Sequence, residues 1–185
     1  MSVLQPAGRA SHDGVRAGFG AMLAMTLLVV LLQVALIPFI RLSDGIPDIA
    51  VALAVAIGLM RGPTAGAVVG FFTGLLVELI APIGTLGVLA LIYMALGAFA
   101  GRYCGRPEAS GLLAPIGLIV ACAGVAQIAY AAVQLLLGAP FSLPDFLGPV
   151  LLSQMALTAL LAPLVLLLSR RLLKEPRVLE PGASA

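Results

Sequence analysis

Residues 47–87 read PDIAVALAVAIGLMRGPTAGAVVGFFTGLLVELIAPIGTLG, and this stretch decides the fold. It is an apolar hairpin: one limb over 47–60, a tight Arg61-Gly62-Pro63 turn, and a second limb over 63–80. Gly62, Gly66, Gly70 and Gly74 recur every fourth residue. On a helix that spacing leaves a ridge without side chains, against which another helix can pack at close backbone contact. Ala50, Ala54 and Gly58 form a second small row on the first limb. The alternation of Ala with Val, Leu and Ile there also fits a strand. An isolated strand cannot satisfy its backbone in lipid, so the limb is read as a helix. Asp48 opens the first limb and Glu78 stands near the end of the second. Charges inside or beside a long apolar run are expensive and usually have a task.

Working outward, the whole chain shares this character. It is 62% hydrophobic and 10% charged, where a soluble domain carries roughly a quarter charged residues. It cannot cover itself with polar surface, and its mean hydropathy of +1.17 makes lipid its solvent. At about 20 residues per crossing, the 185 residues accommodate six spans in one domain. The expected architecture is an all-α membrane protein, six transmembrane helices in one bundle. The spans are expected over 18–40, 47–60, 63–80, 85–101, 111–137 and 148–172, between polar tails at 1–17 and 173–185. The first apolar run is too long for a signal-peptide core, so it is expected to stay as a membrane helix. Pro38 ends or kinks it. Gly97 and Gly101 add a small pair for helix packing on span four.

Alternating the loops sorts the charges. Arg9, Arg16, Arg61, Arg102, Arg106, Arg170, Arg171, Lys174 and Arg177 fall on one side, and Arg41 alone on the other. The positive-inside rule then puts both termini in the cytoplasm. The acids lean the opposite way, with Asp44, Asp48 and Asp145 outside and Glu78 near the outer end of span three.

Chemistry is sparse. No nucleophile–base pair, metal-ligand cluster or phosphate loop is legible, so neither an enzyme nor a cofactor or metal is expected. The only histidine, His12, sits in the N-terminal tail. Cys104 and Cys122 lack metal-like spacing and read as small apolar filler. No basic–aromatic pattern points to nucleic acid. Asp48 and Glu78 could meet at the outer ends of antiparallel neighbours and form a polar site with Gln127 and Gln134. Gln127, Tyr130 and Gln134 share a helix face at i, i+3 and i+7. Alternatively, Asp48 caps its own helix and Glu78, at a helix C-terminal end, reaches the headgroups without a capping role. The glycine row serves either internal packing or the docking of a partner helix. Thr26, Gln33, Thr158 and the other polar residues within spans suit interhelical hydrogen bonds.

The hairpin resembles MreD, the rod-shape-determining membrane protein family of bacteria. The resemblance rests on Pro47-Asp48, Gly62, Gly66, Gly70-Phe71, Gly74-Leu75-Leu76, the acid at position 78, and Gly84 or Gly87. It covers spans two to four, and Glu78 stands where the family usually has Asp. The resemblance implies a non-enzymatic scaffold of the cell-elongation machinery in the bacterial inner membrane. Its implied partner is MreC, with MreB filaments, RodA and a class B penicillin-binding protein as indirect partners in peptidoglycan synthesis. The family's relation to the S components of energy-coupling-factor transporters implies a similar fold. It also keeps open an alternative function, a small-solute-binding subunit of such a transporter.

Overall fold

A chain this apolar must satisfy its backbone within itself, and helices do so segment by segment. The computed structural model describes residues 9–36, 47–80, 86–105, 111–138 and 150–172. Among these the chain forms α1 (Arg9–Leu36), α2 (Ile49–Arg61), α3 (Pro63–Ile80), α4 (Val88–Gly101), α5 (Leu113–Leu136) and α6 (Leu151–Leu172), with no strand. Three of them, α3, α5 and α6, are long and apolar enough to cross a membrane. Helices α2 and α4 have 13 and 14 residues. At 1.5 Å per residue each is about 20 Å long, less than the ~30 Å hydrocarbon core of a bilayer. Helix α1 begins at Arg9, inside the stretch expected to be a polar tail. Pro38, the loops expected at 41–46, 106–110 and 139–149, the 81–84 turn and the tail from 173 lie outside the described residues.

Helix α2 is the central post. Every residue from Ile49 to Leu59 is buried, and all five other helices touch it. That explains its unpatterned composition: a helix enclosed on all sides needs no polar face. It ends at Gly62, whose N–H donates to the Gly58 carbonyl (2.8 Å). Gly62 has φ +93°, a conformation that side chains strain against. Pro63 then opens α3, its fixed φ suiting a first helical turn. One non-helical residue thus separates two antiparallel helices.

The bare ridge of α3 is filled by α4. A Cβ on Gly66 would collide with the Gly97 carbonyl, one on Gly70 with the Tyr93 carbonyl, and one on Gly74 with the Ala90 backbone. From the other side, a Cβ on Gly101 would strike Pro63 and Gly62, and one on Gly58 would lie 2.5 Å from the Gly97 oxygen. Gly58, Gly66 and Gly97 therefore bring α2, α3 and α4 to backbone contact at one level. The glycine row is an internal seam, and so is not a surface open to a partner's helix. Gly62 stands apart from that seam. Nothing lies within 4 Å of a Cβ built on it, and its role is the turn.

Charge is sorted along the bundle. Arg61 ends α2, Arg102 follows α4, and Arg170 and Arg171 lie in the last turn of α6. The Arg170 guanidinium donates from Nη2 to the Gly111 carbonyl (2.9 Å), tying the end of α6 to the start of α5. Gly101 packs on Gly62 and Pro63, and Thr158 and Gln127 meet the opposite, Asp48 end of α2, so these four arginines stand at one end. Large apolar side chains such as Leu91, Leu152, Leu160 and Leu164 point outward, as a lipid-facing surface requires.

Candidate functional site

The first turn of a helix leaves N–H groups without intrahelical partners. Where no water reaches them, each needs an acceptor from the protein. At the start of α2 three elements supply acceptors. Asp48 Oδ1 accepts from the Val51 N–H (3.1 Å), and Gln33 Oε1 of α1 accepts from the Ala50 N–H (2.8 Å). The Asp48 N–H donates to Thr158 Oγ1 of α6 (3.1 Å). The second carboxylate oxygen, Oδ2, accepts from the Tyr93 hydroxyl of α4 (2.8 Å) and from Gln127 Nε2 of α5 (3.3 Å). Asp48 is 2% exposed. Five helices converge on this one carboxylate and its neighbouring N–H groups.

The site is submerged. Gln127 lies about 21 Å along α5 from its start at Leu113 and about 14 Å from its end at Leu136. Thr158 lies about 10 Å from the Leu151 end of α6. Helix α2 therefore begins well inside the ends of its long neighbours. An ionised carboxylate is stabilised there by the helix dipole, whose positive end it meets.

Glu78 answers the same demand at a second place. It is 3% exposed. Its Oε2 accepts from the Gly87 N–H and its Oε1 from the Leu89 N–H, both at 2.7 Å. Gly87 is the N-cap of α4 with φ +100° and has no side chain to cap with. Glu78 of α3 provides that cap from across the α3–α4 interface. The expectation that Glu78 lacks a capping role is overturned: it sits at the C-terminal end of its own helix and caps the start of the next. The two carboxylates accept from separate sets of donors, and Tyr93, bonded to Asp48, lies within electrostatic reach of Glu78 as well.

Gln127 does join Asp48, whereas Gln134 turns to its own helix and donates from Nε2 to the Tyr130 hydroxyl (2.9 Å). The interhelical role read for the polar residues holds for Gln33 and Thr158. Thr26 instead donates to the Met22 carbonyl one turn back (2.8 Å). Tyr93 was missed as a site residue. Its only sequence signal is a phenol inside an apolar span, where a buried hydroxyl needs a partner. Among the described residues no group of His, Cys, Asp and Glu could hold a metal ion.

No protein-family model, curated protein or solved structure matches the chain. The fold and the site define a class: an all-helical membrane protein in which buried carboxylates cap short helices.

Proposed function

We propose that the chain is a non-enzymatic integral membrane scaffold of the MreD type, serving the bacterial cell-elongation complex. In this reading it crosses the inner membrane six times with both termini in the cytoplasm, holds MreC, and through it acts on peptidoglycan synthesis. The observation that carries the reading is the use made of the resemblance's own residues. Asp48, through the Tyr93 hydroxyl of α4, and Gly66, Gly70, Gly74 and Glu78 of α3 all serve to lock α2, α3 and α4 into one unit. A pattern spent on architecture suits a protein whose task is to present a rigid surface. A partner's contact surface then belongs on the outward apolar faces and not on the glycine seam.

The test is co-purification with MreC in mild detergent. Co-elution that survives extraction supports the scaffold, and its absence from doubly expressing cells sinks it. The alternative, a solute-binding transporter subunit, needs convergent polar groups free to meet a ligand. Here both Asp48 oxygens already accept hydrogen bonds from the protein. A thermal shift with any member of a vitamin panel would favour the alternative over the scaffold.

A further inference from the structure

A groove of about 200 Å³ runs between α1 and α3. Met22, Leu23 and Thr26 form one wall, and Ala65, Val68 and Phe72 the other, with Thr64 at its mouth. The Thr26 hydroxyl is spent on the Met22 carbonyl, so the wall offers an occupant hydrocarbon alone. Leu23 is 40% exposed, and Val68 and Phe72 are each 38% exposed, so the groove opens outward. A void there would forfeit the contacts of its lining.

From these features we infer that the groove holds one acyl chain of an anionic glycerophospholipid, drawn from the leaflet at the arginine end of the bundle. Length argues for a lipid tail. From Thr64 to Phe72 the groove spans about 12 Å of helix, within the ~15 Å that one leaflet contributes to a ~30 Å core. A second membrane helix would need an apolar stripe through both leaflets. Charge argues for an anionic headgroup. Thr64, exposed at the mouth, lies three residues past Arg61 across the turn between α2 and α3, at the end where Arg102, Arg170 and Arg171 also stand. The buried carboxylates Asp48 and Glu78 lie toward the other end of α2 and α3. The inference rests on membrane embedding and not on the elongation-complex reading.

The chain has no tryptophan, so one introduced indole reports on one place. Phe72→Trp and, from the facing wall, Leu23→Trp probe the groove; Leu160→Trp, at a position 73% exposed on α6, is the control. Each variant is reconstituted into vesicles of equal phosphatidylcholine and phosphatidylglycerol, with brominated acyl chains on one lipid or the other. An interfacial arginine is worth about fivefold in local enrichment of an anionic lipid. Both groove indoles are therefore expected to be quenched several-fold more by brominated phosphatidylglycerol, while the control shows no preference. Arg61→Gln should lower that preference and leave total quenching intact. Equal quenching of the groove indoles by both lipids overturns the inference. So does a groove indole that neither lipid quenches while the control is quenched, since a second copy or another protein then covers it. A control indole that is itself unquenched would instead overturn membrane embedding.

Discussion

Asp48→Ala tests whether protein acceptors do at the buried start of α2 what water does at an exposed helix end. The substitution strips the acceptor from the Val51 N–H, the Tyr93 hydroxyl and the Gln127 amide at once. A buried donor left unpaired costs about 1–3 kcal/mol. The three share one site and their costs overlap, so the expected loss is about 3–5 kcal/mol. Asp48→Asn keeps an oxygen for Val51 and ranks with Asp as an N-cap. Its amide can donate to the Tyr93 oxygen, and Gln127 can rotate to offer its own oxygen, so the loss falls to about 1–2 kcal/mol. Tyr93→Phe is expected to hurt in the native background and to be nearly silent, or mildly helpful, beside Asp48→Ala. Coupling of at least about 1 kcal/mol is the size found for groups in direct contact. Cys122 provides the assay. It is 3% exposed, so in a Cys104→Ser background a thiol-reactive dye reports unfolding in detergent. For a chain of this size 1 kcal/mol moves Tm by about 2–4 °C; Asp48→Ala should therefore lower Tm by about 10 °C, and Asp48→Asn by about half of that or less. Equal Tm values for the native protein and Asp48→Ala would refute the capping account. A Tyr93→Phe effect that is the same in both backgrounds would refute the hydrogen bond.

The other predictions concern the second cap and the seam. Hydrogen bonds to a charged group are worth about 1.5–3 kcal/mol each, so Glu78→Ala should cost about 3–5 kcal/mol in the same assay, with faster amide exchange at Gly87 and Leu89. Glu78→Asp, though it restores the residue usual in the pattern, shortens the side chain by about one bond, ~1.5 Å. It should behave more like the alanine variant than like native protein, and a neutral result would show that α3 and α4 slide to close the gap. Gly66→Ala places a Cβ on the Gly97 carbonyl and should prevent recovery of a monodisperse protein. Gly62→Ala meets no neighbour and should cost about 1–3 kcal/mol, the strain of a backbone at φ +93° and ψ 179° that is nearly confined to glycine. Finding Gly62→Ala to be the worse of the pair would contradict the seam.

The glycine seam was largely legible in the sequence because it is periodic. A four-residue repeat of Gly66, Gly70 and Gly74, and the Gly97–Gly101 pair, announce helix faces before any coordinate is known. Which faces meet was not legible, since nothing local in α3 says that its ridge receives α4 and not another chain. The helical character of α2 needed the lipid argument, because its Ala–Val–Ala–Leu alternation is equally strand-like. The role of Glu78 was hidden for a physical reason. Capping is normally judged within one helix, and by that test a carboxylate at a C-terminal end looks unfavourable. Its true partner is the start of α4, nine residues on, past a turn whose geometry the sequence does not disclose. Asp48 was legible as a cap. The convergence of Gln33, Tyr93, Gln127 and Thr158 on its surroundings was not, because it joins four helices from 15 to 110 residues away.

The arginine asymmetry has two physical causes that act in the same direction, and they can be separated. One belongs to the proposed topology, in which membrane orientation gathers cations on the cytoplasmic side. The other is local: Arg61, Arg102, Arg170 and Arg171 all stand at helix C-termini, where the dipole favours a cation by about 0.3–1 kcal/mol each. Asp48 and Glu78 complete the pattern at helix N-termini, where the dipole favours an anion. Helix polarity alone would thus sort the charges as observed, because α2, α4 and α6 run in the same direction. Replacing Arg61 and Arg102 together by Gln distinguishes the causes. The dipole account expects Tm to fall by a few degrees, from about 0.6–2 kcal/mol in total, with Cys104 still labelled from the same side of sealed vesicles. Orientation is expected to hold because Arg170 and Arg171 remain at that end. A chain that inserts in both directions after the double substitution, with Tm unchanged in the correctly inserted fraction, would show that these two arginines act on topology alone and that the helix ends do without them.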